Sequence, residues 1–256
     1  MNHDASRIAW LALAALLFAG FVFLHWPFTQ FLEGVVTRMG FATYQRALAG
    51  GFLGVGIALA GAVAVYRTPT AHTTWPAMAV LFVLTGLAHQ HLVLLNVEHI
   101  HLVQYGVLAL VLVKAGLTLE QSWLATTALG AIDEVYQYLF LVAGTPEWLD
   151  WNDIVFNALG AAFGVVIALH LGAGRLDLSP RGRFVYALLL AATATALFVY
   201  PPVLSPFYTV TPAGLRNHIL SPGEGLALNC ALYAGVRAVI AWSGRLEAQR
   251  EPSVAL

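Results

Sequence analysis

The chain has 256 residues, of which 59% are hydrophobic and only 10% charged, against roughly 25% charged in an ordinary soluble domain, so water is excluded as its main solvent. Twelve Lys and Arg against thirteen Asp and Glu give a formal net charge of −1, which excludes a bulk basic field for nucleic acid. A single cysteine, Cys230, excludes an intrachain disulfide and any Cys-rich zinc site, and inside an apolar run it reads as a small packing residue.

The first apolar run, 8–27, is long enough to span a bilayer and lacks a small-residue cleavage site, so it is read as a retained helix. From Pro27 to Arg46 the chain mixes Phe, Leu, Met and Tyr with Gln30, Glu33, Arg38 and Arg46, the pattern of a short helix lying on the membrane surface. Further runs follow at 47–66, 77–96 and 99–117. Only Asn96 to Glu98 separates the last two, which implies a tight helical hairpin. Runs at 122–143, 153–172, 184–203 and 224–242 complete a set of about eight transmembrane helices, an all-α polytopic bundle. Between the last two, Pro201, Pro202, Pro206, Pro212 and Pro222 mark an ordered non-helical loop. No repeat of fixed period is present and the tail after Ser243 is short and polar, so 1–256 reads as one membrane domain.

Eight spans put Arg7, Arg67, Lys114, Arg175, Arg181, Arg183, Arg245 and Arg250 on one side, with Arg237 inside a span near that side, and only Arg38, Arg46 and Arg216 opposite. Because cytoplasmic loops carry the Lys/Arg excess, both termini are expected in the cytoplasm.

That topology brings the ionisable residues to one depth. His89 and His91 end the third run; Glu98, His99, His101 and Tyr105 open the fourth; Asp133, Glu134 and Gln137 close the fifth; Glu147, Asp150, Asp153 and Asn157 follow at the start of the sixth. All belong to the outer half, whereas the cytoplasmic halves are nearly free of acids. Glu98, His101 and Tyr105 are spaced by three and four residues, and so are Asp150, Asp153 and Asn157, while Asp133 and Glu134 lie four and three before Gln137. Each segment therefore carries one polar stripe. Gly160 and Gly164 extend the last stripe, and small residues there allow a neighbouring helix to approach closely. A charged side chain in a span costs about 2.5–3.5 kcal/mol even on lenient scales, so such groups are seldom idle. Pairing, protonation or a metal ion would each relieve that cost.

Two blocks carry a family resemblance. Glu98-His99-Ile100-His101, with Tyr105-Gly106, and then Asp133-Glu134-Val135-Tyr136-Gln137, Pro146, Asp150, Asp153, Asn157 and Gly160, resemble the VanZ-like family of bacterial membrane proteins, whose name comes from a protein linked to teicoplanin resistance. The likeness covers about 97–165, with the helices at 8–66 and 184–242 flanking it. It implies a multi-pass protein of the bacterial cytoplasmic (inner) membrane with an envelope role near lipid-linked or surface glycans. One departure stands out: where the family often has an arginine after the loop proline, Glu147 and Trp148 follow Pro146, so no phosphate-pairing cation is supplied at that point.

The leading functional expectation is a pocket at the outer leaflet that binds a lipid or lipid-linked envelope component, with hydrolysis or group transfer as its chemistry. Glu134 would be the general acid or base, His101 and Asp153 would orient it or the attacking group, and Glu98, Tyr105, Asp133, Gln137, Asp150 and Asn157 would bind substrate. No metal ligands are assigned, since no HExxH-like helix supplies them locally, although a divalent metal stays open as a cofactor. The rival reading is a non-catalytic assembly subunit of a larger membrane complex, its polar cluster clamping helices four to six. A proton-coupled transporter would need acids across the whole membrane depth. His89 and His91 have a plain reading as interfacial histidines, and Trp26, Trp75, Trp123, Trp148, Trp151 and Trp242 as an aromatic belt. Asn217 and His218 are candidates for a lid over the pocket.

Overall fold

The computed structural model describes residues 3–66, 68, 70–93, 96–141, 149–174, 208–210 and 216–250. These form seven α-helices, α1 (His3–Met39), α2 (Phe41–Val65), α3 (Ala71–His91), α4 (Ile100–Lys114), α5 (Leu119–Tyr136), α6 (Trp151–His170) and α7 (Pro222–Arg250). A two-stranded antiparallel hairpin, β1 (Tyr208–Val210) with β2 (Arg216–His218), falls within the proline-rich segment. Six helices are long and apolar enough to cross a membrane, and the protein is a multi-pass, all-helical membrane protein. α5 has a suitable length but carries Glu120, Asp133 and Glu134 and is not among the six. The expected span at 184–203 lies outside the described residues.

The expected interfacial helix after Pro27 does not form. α1 instead runs through Pro27 for 37 residues, about 55 Å if straight, against a hydrocarbon core of about 30 Å. Ending a helix in an apolar medium strands a full turn of backbone donors and acceptors, whereas an internal proline removes one rung, so Pro27 is carried inside. Gly40 ends α1: its φ of +78° is open to glycine, and α2 begins at the next residue.

Between α3 and α4 a 3₁₀ turn, Asn96–His99, occupies the place of the expected tight hairpin. α5 starts on a capping box, with the Gln121 amide donating to Thr118 Oγ1 at 3.2 Å and the Thr118 amide donating to Gln121 Oε1 at 3.1 Å. Its far end passes into a π-helical turn, Gln137–Leu141, and π-helical turns concentrate at functional sites. Asp150 caps α6, accepting from the amides of Asn152 at 2.9 Å and Asp153 at 3.3 Å.

α6 is the axis of the bundle. All but Asp153 and Ile167 of its 20 residues are buried, packed by α3, α4, α5 and α7. Its contact with α4 depends on glycine. A Cβ at Gly160 would stand 2.7 Å from the Leu102 carbonyl oxygen, one at Gly106 would stand 3.2 Å from the Gly160 oxygen, and one at Gly164 would collide with the Gly106 carbonyl. The two backbones therefore meet directly, as small-residue packing in membranes permits. By contrast, α1 and α2 leave most of their apolar side chains exposed, including Leu16, Phe23, Leu53 and Ile57, as faces turned to lipid do.

The aromatic-belt reading divides. Trp26, Trp75 and Trp242 are exposed, but Trp123 and Trp151 are buried, and the Trp123 indole donates to the Ala158 carbonyl at 3.0 Å. These two are core residues because α5 and the first turn of α6 turn them inward against other helices rather than toward an interface. Trp148 lies outside the described residues. Cys230, expected to be a packing residue, is exposed on α7.

Candidate functional site

The first turns of α4, the last turns of α5 and the first turns of α6 meet at one end of the bundle, and each brings polar side chains inward. On α4, His101 is 5% exposed and Tyr105 fully buried; on α5, Asp133 and Glu134 are 2% and 3% exposed; on α6, Asn157 is fully buried. Asp150 and Asp153 are partly exposed, and with Gln137 they form the more accessible side of the group.

The contacts join all three helices. The Tyr105 hydroxyl donates to Asp133 Oδ2 at 2.8 Å. His101 Nε2 lies 3.5 Å from Asp153 Oδ2, and the His101 ring stacks on Tyr105 with centroids 6.2 Å apart. Glu134 Oε1 accepts long hydrogen bonds, both 3.4 Å, from the amides of Asn157 and Gln137. One ligand atom each from His101, Glu134 and Asp153 comes within 4.8 Å of the other two. Two carboxylate oxygens, Asp133 Oδ1 and Asp153 Oδ1, are buried without a hydrogen-bond partner among the described residues. Unpaired acceptors of this kind are expensive. No Lys or Arg among the described residues forms an ion pair with the cluster.

Asp150 stands at the rim. Burial pushes its carboxyl up to about 7, the neighbouring Asp153 adds to the shift, and the amides of Asp153 and Asn152 that it caps, together with His101, oppose it.

Eight of the nine expected site residues, His101, Tyr105, Asp133, Glu134, Gln137, Asp150, Asp153 and Asn157, thus gather at this end. Glu98 lies on the 3₁₀ segment just before α4 and is partly exposed. His89 and His91 are exposed; the His89 ring packs on His99, which in turn packs on Phe52 and Phe156. Glu147 and the side chains of Asn217 and His218 lie outside what is described.

No family model, curated protein or solved structure matches the chain.

Three contributions were not anticipated from the sequence. His25 on α1 lies within electrostatic range of His101 and Asp133, and its place at the end of the first apolar run was the available signal. Asn152 holds the site's frame: its side chain donates to the Leu92 carbonyl and accepts from the Leu220 amide, both at 2.9 Å, tying the end of α3 and the approach to α7 onto α6. The third is at the opposite end, where acids were expected to be scarce. Glu120, 1% exposed, accepts from the Tyr233 hydroxyl at 2.6 Å and pairs with Arg237 Nε at 3.3 Å. The Arg237 guanidinium also lies over the Tyr233 ring, which stacks on Trp123. There too His170 binds Thr74 at 2.9 Å and the Tyr66 carbonyl at 2.6 Å. Each of these side chains has a local partner, although Glu120 Oε2 accepts no hydrogen bond among the described residues, and they read as clamps between helices.

Proposed function

We propose that this chain is a VanZ-like protein of the bacterial cytoplasmic membrane, with eight spans and both termini cytoplasmic, whose acid/histidine cluster faces the outer leaflet and takes the headgroup of a lipid or lipid-linked envelope component. What carries the reading is the pair of buried carboxylate oxygens, Asp133 Oδ1 and Asp153 Oδ1, that have no hydrogen-bond partner among the described residues, inside a cluster drawn from three helices. Their chemistry narrows the ligand. A carboxylate seeks a hydroxyl or N–H donor, and no Lys or Arg among the described residues pairs with the cluster, so a hydroxyl-rich headgroup such as a sugar suits these acceptors.

Glu134 is the group suited to act as general acid or base for hydrolysis or group transfer at that headgroup. Asn157 and Gln137 fix one of its oxygens. His101 and Asp153 orient the reacting group from the facing helices, with Tyr105, Asp133 and Asp150 binding around them. Glu98 would contact the ligand only from the 3₁₀ segment.

The test is to extract and weigh the lipids that co-purify with the full-length protein in mild detergent. The wild type should retain a glycan-headed lipid near one equivalent, while Glu134→Gln and Asp153→Asn, which conserve shape, should keep the same elution profile and lose it. A wild type carrying only bulk phospholipid, or variants as loaded as the wild type, would remove the proposal.

A further inference from the structure

The separation of His101 from Asp153 is odd for an ion pair. A charge-assisted N–H···O bond closes to about 2.7–2.9 Å, yet here Nε2 and Oδ2 stand 3.5 Å apart in a buried setting where a short bond would relieve most. Two ligands bound tetrahedrally to one ion at about 2.0–2.2 Å lie roughly 3.3–3.6 Å from each other, so the observed distance is that of two ligands sharing an ion. Glu134 completes the group: the three ligand atoms lie within 4.8 Å of one another.

We propose that His101, Glu134 and Asp153 bind one divalent cation of the zinc or manganese type. One imidazole and two carboxylates form a borderline-to-hard donor set, suited to Zn²⁺ or Mn²⁺ rather than to a thiophilic ion. Three protein ligands leave a position open, as catalytic metal sites do.

Two further observations point the same way. Asp133 is 2% exposed, its Oδ2 is held by Tyr105, and its Oδ1 has no hydrogen-bond partner among the described residues. Its charge acts on His101, Glu134 and Asp153, which places it beside the trio. The second is the charge balance, since Asp133, Glu134 and Asp153 share one imidazole and no Lys or Arg pairs with them among the described residues, and a 2+ ion offsets most of that negative charge. Asn157 and Gln137 hold the Glu134 carboxylate as outer groups hold metal ligands. No local motif announces such a site, because its ligands come from α4, α5 and α6 separately.

The inference rests on the cluster being a functional site, but not on the identity of the amphiphile or on Glu134 as general acid or base, a role that a metal-bound carboxylate gives up. It is tested on full-length protein in detergent, stripped with a chelator, dialysed, and titrated separately with Zn²⁺ and Mn²⁺, with bound metal measured by plasma mass spectrometry and affinity by calorimetry. The wild type should take up one equivalent of one of the two ions and melt at a higher temperature once loaded. Affinity should fall at least about tenfold in His101→Ala and in the near-isosteric Asp153→Asn, and stay unchanged in His91→Ala, whose side chain is exposed outside the cluster. Should His101→Ala fail to fold, Asp153→Asn and the reversible stripping of the wild type still decide the matter. Wild-type uptake below about a tenth of an equivalent for both ions, or equal affinity in Asp153→Asn, would overturn the metal site. A retained glycan-headed lipid without metal would leave the headgroup proposal standing, and metal without such a lipid would leave only the ion site.

Discussion

The α4–α6 contact is the tightest in the bundle, and Gly160→Ala probes it with a single methyl group. The added Cβ would stand 2.7 Å from the Leu102 carbonyl oxygen and 2.9 Å from that of His101, where ordinary contact begins near 3.4 Å. Both obstacles are backbone atoms of a helix and cannot rotate aside, so α4 must retreat by about 0.7 Å or the helices must slide. Overpacking of this kind costs about 1–3 kcal/mol, and for a chain of this size each kcal/mol lowers the melting temperature by roughly 2–4 °C, so a fall of about 5 °C is expected. The assay is thermal unfolding in detergent, followed by intrinsic fluorescence. Gly235→Ala is the control: no atom lies within 4 Å of its added Cβ, and the better helix propensity of alanine should leave the melt unchanged or slightly raised. A Gly160→Ala protein that melts with the wild type, beside a normal Gly235→Ala, would refute the claim that these backbones touch.

Tyr105→Phe removes the only hydrogen bond given to the buried Asp133 carboxylate among the described residues, and should cost about 1–3 kcal/mol of stability in the same melt; no change would mean that Asp133 is satisfied elsewhere. Arg237→Met strands the buried Glu120 and should cost about 3 kcal/mol, whereas the double variant with Glu120→Gln should recover most of the loss; a double variant as unstable as the single one would refute the clamp. Asp150, pushed up to about 7 by burial, keeps its proton in the folded state at pH values where the unfolded chain has released it. Its contribution is therefore full below about pH 4 and lost as pH rises from about 4 to 7. Stripped wild-type protein should lose melting temperature across that window, and Asp150→Asn should lose less; parallel profiles would remove Asp150 as the cause.

Hydropathy along the chain was enough to read the class of this protein and the position of nearly every described helix, because a bilayer imposes both the length and the composition of each crossing before any tertiary contact forms. The spacing of Glu98, His101 and Tyr105, of Asp133, Glu134 and Gln137, and of Asp150, Asp153 and Asn157 was legible for the same local reason: a helix repeats every 3.6 residues whatever surrounds it. Helix ends were less legible. Whether Pro27 stops α1 depends on the alternatives open to the backbone in lipid, and α1 passes through it to Gly40.

What only the folded chain decided is who faces whom. Periodicity assigns a face to each helix but not its rotation against a neighbour, so it left open that Trp123 and Trp151 turn inward and that Glu120 meets Arg237. That rotation is set by backbone contact at Gly106, Gly160 and Gly164, where the absence of a side chain lets α4 and α6 close until His101 and Asp153 stand 3.5 Å apart. A distance of that kind belongs to no single helix, which is why spacing along the chain names His101, Glu134 and Asp153 but cannot set them beside one another.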